Sequence, residues 1–101
     1  MQLVSIVKYM KFEWDEAKSL LNLQKHKVSF ELAECLFNES MITTVDDRVD
    51  YGELRYTAYS MCEGSLFNVV YTERNSKIRI ISVRKANERE KSKYQATIKR
   101  D

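Results

Sequence analysis

Leu54-Arg-Tyr-Thr-Ala-Tyr-Ser-Met-Cys62, Ser65-Leu-Phe-Asn-Val-Val-Tyr-Thr72 and Lys77-Ile-Arg-Ile-Ile-Ser-Val-Arg-Lys85 are three β-branched and aromatic runs separated by turn residues. Glu63-Gly64 is a two-residue hairpin signal and Asn75-Ser76 a second turn. Taken literally, these turns put Cys62 opposite Ser65 and Arg74 opposite Lys77, which fixes the cross-strand neighbours. One face then carries Tyr56, Ala58, Phe67, Val69, Tyr71, Ile78 and Ile80, an apolar surface suited to packing helices. The other carries Glu53 opposite Arg74, then the row Arg55, Thr72, Arg79, with Tyr59, Val70 and Ile81 beyond. The same register predicts Arg84 on the helix-packed face near Phe67 and Lys85 on the arginine side.

Upstream the period is helical. Asp15 is an N-cap, Glu16 lies in the first turn, and Ala17, Leu20 and Leu21 follow at helical spacing, predicting a helix to about His26. Ser29 is placed to cap a second helix whose stripe is Phe30, Ala33, Leu36 and Phe37, ending near Asn38. Ile42 to Val45 reads as a strand and Asp46 to Gly52 as a loop. Asn87 with Glu90 three residues on predicts a capped last helix. The order α-α-β-β-β-β-α predicts an α+β class, two N-terminal helices packed on a mainly antiparallel sheet with a C-terminal helix.

The charge is uneven. Arg74 to Asp101 carries ten Lys/Arg against three Asp/Glu, while Met1 to Glu73 carries seven against twelve, so the formal +2 of the chain hides a basic segment on an acidic body. Such asymmetry suggests a polyanionic partner. At 101 residues one domain over 1–101 is expected, with residues 1–9 a candidate N-terminal extension. No apolar run approaches the ~20 residues that span a bilayer, and Leu3 to Val7 is too short for a secretory core, so the expectation is a cytoplasmic protein with no membrane partner. Cys35 and Cys62 read as buried free thiols, with pairing the alternative. His26 is the only histidine, which disfavours zinc and two-metal chemistry, and no cofactor or metal is expected.

The arginine face has a chemical use. Cleaving RNA without a metal needs a base for the ribose 2′-hydroxyl, an acid for the leaving 5′-oxygen and fixed positive charge on the phosphate. Glu53 is the candidate base. Arg55, Arg74 and Arg79 are the candidate phosphate ligands, because a guanidinium donates in a fork that matches two phosphate oxygens. Arginine is a poor proton donor, so the acid falls to His26 or Tyr94. The plainer reading is an Arg/Glu ladder on a solvated face.

Phe12-Glu-Trp-Asp15, Ala17-Lys18, Asn22, Lys25-His26, Val28-Ser-Phe30, Gly52-Glu53, Arg55-Tyr56, Tyr71-Thr-Glu-Arg74 and Ile78-Arg-Ile-Ile-Ser-Val-Arg84, in this order, resemble the BrnT family of type II toxins. The agreement runs from about residue 10 to 95. That resemblance implies a RelE-like fold, a ribonuclease that arrests translation, and neutralisation by a BrnA-like antitoxin carrying a DNA-binding domain. It also implies co-repression of the operon, with operator DNA met only through the antitoxin, and a hetero-oligomer in which the toxin can be dimeric. Lys27 departs from the pattern, standing where the family commonly has Gly, so a left-handed non-Gly residue or a different turn is expected there.

Four further residues complete the candidate site on the RNA-binding side: Lys25, Arg84, Lys85 and Tyr94. Lys25 and His26 recur in the resembled family, although a lone His at a helix end is more often a cap on carbonyls. Tyr94 sits among Arg89, Lys91 and Lys93 and suits either a base stack or a small core under the last helix. Trp14 reads as packing at the helix entrance rather than as a base platform.

Overall fold

The computed structural model describes residues 11–47, 50 and 52–99. Its centre is the antiparallel meander of β3 (Arg55–Cys62), β4 (Ser65–Arg74) and β5 (Lys77–Lys85). Both turns work as the sequence suggests: Glu63, Gly64, Asn75 and Ser76 all adopt positive φ, the backbone twist that two-residue hairpins need. Cys62 pairs with Ser65, Arg74 with Lys77, and Arg55, Thr72 and Arg79 form one row. β2 (Ile42–Asp46) adds antiparallel to β3, and a two-residue β1 (Phe12–Glu13) adds parallel to β5, giving the order β1-β5-β4-β3-β2. β1 is not anticipated by the alternation, because two residues carry no period.

One irregularity changes the outcome for the end of β5. Tyr71 pairs with Ile80 but Val70 pairs with Ser82, so Ile81 is an inserted residue, a β-bulge. Beyond it every side chain of β5 changes face relative to an unbroken ladder. Val83, fully buried, takes the core position; Arg84 stands opposite Asn68 and Lys85 opposite Phe67. The expected placement of Arg84 on the helix-packed face and Lys85 on the arginine side is therefore reversed.

Among the described residues the architecture is α+β, with three α-helices and the five-stranded sheet. Helix α1 (Glu16–His26) starts at Asp15, whose side chain accepts from Lys18 N, and ends at Lys27 with φ 64°. A non-Gly residue thus takes the left-handed position, at about 1 kcal/mol. The buried residues of α1 are Ser19 and Asn22, whereas Leu20 and Leu21 are 57 and 62 % exposed. The leucines expected to seat this helix do not. Polar anchors seat it: Asn22 Nδ2 donates to Val83 O (2.6 Å) and Val28 O (2.8 Å), and Ser19 Oγ accepts from Phe30 N (3.0 Å). At Val83, which lies beyond the two residues paired to β1, the Asn22 amide stands in for a neighbouring strand.

The expected second helix is broken into a 3-10 turn (Phe30–Leu32) and the single-turn α2 (Ala33–Leu36). Ser29 makes no side-chain cap, and Asn38 Nδ2 turns back to Cys35 O (2.7 Å) and Met61 O (2.9 Å), ending the helix early. The stripe still does its work, since Phe30, Ala33, Leu36 and Phe37 pack on Ala58, Val69, Tyr71 and Ile80. Phe37 meets Tyr71 edge-on at 5.0 Å, and the rings of Trp14 and Phe30 meet at 89°. Helix α3 (Glu88–Ile98) has the expected capping box of Asn87 and Glu90. It lies across the other sheet face at the hairpin end, over a smaller cluster of Leu66, Ala86 and Tyr94.

Cys35 and Cys62 form a disulfide, with Cα atoms 5.8 Å apart, so the free-thiol expectation is corrected. The turn of α2 sets Cys35 over the end of β3, within the span a disulfide bridges. Among the described residues no helix is long and apolar enough to cross a membrane.

Candidate functional site

The arginine face is built from strand alternation. Arg55, Thr72 and Arg79 are direct cross-strand neighbours, and Arg74 and Lys77 lie two residues from Thr72 and Arg79, so all project to one side. Glu53 follows the tight turn at Gly52, whose N–H donates to Asp50 Oδ1 while its φ of 73° suits glycine. From there its carboxylate binds two arginines: Arg74 Nη2 and Nε donate to Oε1 at 2.8 and 3.1 Å, and Arg55 Nε donates to Oε2 at 3.3 Å. Arg74 above all holds the Glu53 carboxyl below its usual range, against desolvation, with Arg55 adding to the lowering. Thr72, buried in the middle of the row, donates its hydroxyl to Leu54 O and fixes the entry to β3.

Arg79 is not held by Glu53. Its Nη1 donates to Glu13 Oε2 at 3.0 Å, and Lys77 Nζ lies 4.0 Å from the same carboxylate. On the far side Asp46, buried, stands opposite Arg55 on β2. The face is thus an array of guanidiniums oriented by carboxylates, each guanidinium partly exposed.

A cleft of about 530 Å³ runs from this array along the sheet, with Asp46 and Arg55 at one end, Thr57, Asn68 and Ser82 along its floor, and Arg84 and Glu90 at the other. Arg74 and Arg79 are not part of its lining. At the far end Glu90 takes both amino groups of Arg84 at 2.8 Å, the Tyr59 hydroxyl at 2.6 Å and the Asn87 N–H at 2.9 Å. Arg84 above all, with Tyr59 and the Asn87 backbone, brings the Glu90 carboxyl down to about 2 despite desolvation. Burial, then the bond to Glu90, raises the Tyr59 hydroxyl.

The remaining candidates lie elsewhere. Tyr94, on the sheet-facing side of α3, is 6 % exposed and its hydroxyl donates to Ser40 O at 2.6 Å, the small-core placement. Lys25 and His26 end a helix that begins beside Glu13 and is pinned to Val83 by Asn22, so they lie towards the Lys85 end of β5, away from Arg79. No hydrogen bond or ion pair among the described residues involves the His26 ring, and no group of three His, Cys, Asp or Glu side chains there is arranged to hold a metal. Lys85 is exposed beside Phe67, away from the arginine row.

Glu13, Asp46 and the Glu90 clamp were missed from the sequence. Glu13 and Asp46 act through strand pairings far apart in the chain, and no local pattern announces them. Glu90 was legible as a helix cap, but its bond to Arg84 depends on the bulge.

A small α+β protein with a cationic face ordered by carboxylates is the class that this fold and face define. Over residues 14–90 the chain matches the family of ribonuclease toxins, BrnT, of type II toxin-antitoxin systems, and it belongs to that family. Membership brings a protein partner, the antitoxin. No curated protein matches the chain.

Proposed function

We propose that this protein is a single-domain, RelE-like, cytoplasmic endoribonuclease that cleaves RNA without a metal and so inhibits translation. The observation that carries this reading is the Glu53 carboxylate binding Arg74 at 2.8 Å and Arg55 at 3.3 Å on the face that also holds Arg79. The three guanidiniums hold the scissile phosphate and stabilise the charge that spreads over it. Glu53 has two tasks in sequence. In the free protein it orients the arginines; when phosphate oxygens draw those arginines away, its basicity recovers and it accepts the 2′-hydroxyl proton, while the 5′-oxygen released as the cyclic phosphate forms takes its proton from water. Glu13 keeps Arg79 aimed.

The same face suits neutralisation. A BrnA-like antitoxin with an acidic or extended segment would cover it, adding main-chain hydrogen bonds to charge pairing, and the complex, a hetero-oligomer able to hold a toxin dimer, would repress its operon through the antitoxin's DNA-binding domain.

One observation favours a second reading, a non-catalytic basic module that binds an acidic partner or nucleic acid in a regulatory role: Arg74, Arg79 and Arg84 are each already paired with a carboxylate. Purified protein incubated with single-stranded RNA in excess EDTA separates the two. Fragments ending in 2′,3′-cyclic phosphate support the ribonuclease; RNA left intact under every condition supports the module.

A further inference from the structure

Helix α3 crosses the arginine side of the sheet and leaves a second hollow of about 410 Å³ between itself and the outer strands, with Ile42, Thr44 and Tyr59 on the sheet side and Arg89, Lys93 and Thr97 on the helix side. This hollow shares Tyr59 and Glu90 with the cleft that begins at Arg55. The two are therefore neighbours along one face. From Arg55 to Tyr59, two alternations along β3, is about 13 Å.

The helix residues facing the hollow are oddly chosen for stability. Arg89 and Lys93 stand at i and i+4, where like charges repel. Arg89 also lies in the first turn, where a cation opposes the helix dipole. Both are exposed, and among the described residues neither side chain forms a hydrogen bond or an ion pair. Two uncompensated cations thus point into a hollow that continues a cleft whose own arginines are compensated by carboxylates.

We propose that this hollow is a second nucleotide subsite, in which Arg89 and Lys93 hold the sugar-phosphate backbone of single-stranded RNA a short distance from the scissile phosphate. The assignment rests on the ribonuclease reading and adds to it the course of the substrate: from Arg55, past the Glu90–Arg84 clamp, to the gap between β2 and α3. Cationic side chains along a groove with an aromatic wall are how proteins hold single strands without reading sequence. An acidic peptide would satisfy the two cations equally, but the continuity of the hollow with the arginine cleft favours a chain already anchored there.

The test uses the full-length protein and a short RNA that carries 2′-O-methyl groups throughout and cannot be cleaved. Arg89→Ala/Lys93→Ala should bind it on the order of tenfold more weakly than wild type at moderate salt, with the slope of log affinity against log salt shallower by about 1.4, the share of two phosphate contacts on a single strand. Arg89→Lys should restore most of the loss. Cleavage of a dinucleotide, too short to reach the hollow, should stay at the wild-type rate, and helical content should be unchanged because alanine suits both positions. Unchanged RNA affinity and salt slope overturn the subsite while leaving the ribonuclease reading intact. So does a variant that loses affinity for the antitoxin but not for RNA, since the hollow would then be a protein-docking site. Wild-type protein that neither binds nor cleaves RNA would instead sink the ribonuclease reading and the subsite with it.

Discussion

Glu13 and Arg79 meet across the only parallel pairing of the described sheet, with Arg79 Nη1 donating to Glu13 Oε2 at 3.0 Å. Two residues of strand therefore set the direction of an arginine 66 positions away in the chain. Partly exposed pairs of this kind contribute little to stability, about 1 kcal/mol or less. Glu13→Gln should accordingly leave the melting temperature nearly unchanged while lowering kcat/KM for RNA cleavage roughly tenfold, the effect of about 1.4 kcal/mol in the transition state. A variant that cleaves as well as wild type would show that Arg79 needs no such support.

Glu53 titrates below the usual carboxylate range in the free protein because Arg74 and Arg55 stabilise its anion. A lowered value means that Glu53 stays ionised as pH falls through the range where an ordinary Glu gains its proton. The acid limb of kcat/KM, which reports the free enzyme, should therefore lie below that range, and the limb of kcat, which reports the RNA complex, should lie higher. Arg74→Ala should move the first limb upward. Coincident limbs in both profiles, unmoved by Arg74→Ala, would remove Glu53 from the role of base.

Glu90 carries a stability prediction with a definite sign. Its folded value of about 2 lies below the ordinary 4.5, so the stabilisation is present above 4.5 and is lost as pH falls from there towards 2. Its side chain is 16 % exposed, and with allowance for solvent screening the amount at stake is about 2 kcal/mol. Glu90→Gln should be destabilised near neutrality and show a flatter fall of melting temperature from pH 5 to about 2.5 than wild type, measured by circular dichroism. Parallel curves for the two proteins would contradict the clamp.

The Cys35–Cys62 bond closes a loop of sequence separation 27, which by chain entropy contributes about 3.5 kcal/mol. Reduction with dithiothreitol should lower the melting temperature by more than about 10 °C. The double variant Cys35→Ala/Cys62→Ala should melt near the reduced protein and ignore the reductant. Identical melts with and without dithiothreitol in the wild-type protein would mean that the bond constrains nothing.

Where residues act on near neighbours, the sequence is a good guide. The turns at Glu63-Gly64 and Asn75-Ser76 set the register, and from it the row Arg55, Thr72, Arg79 and the apolar face follow directly. Asp15, Asn87 and Glu90 announce two helix starts because a cap bonds within three residues. Ile81 defeats the same logic: it is β-branched like its neighbours, no glycine marks the bulge, and one inserted residue exchanges the faces of Arg84 and Lys85. Asn22 reads as an ordinary polar helix residue, yet its amide replaces a strand at Val83 and leaves Leu20 and Leu21 exposed. The pairing of Cys35 with Cys62 is likewise a matter of where α2 lands on β3.

Single-turnover cleavage of a single-stranded RNA in excess EDTA by wild type and Arg79→Ala, with folding of the variant verified, is the measurement closest to the proposed chemistry. Loss of one phosphate-stabilising guanidinium should slow the cleavage step by about 100-fold or more, with RNA affinity falling far less. Equal cleavage rates for the two proteins would move the scissile phosphate away from the arginine face.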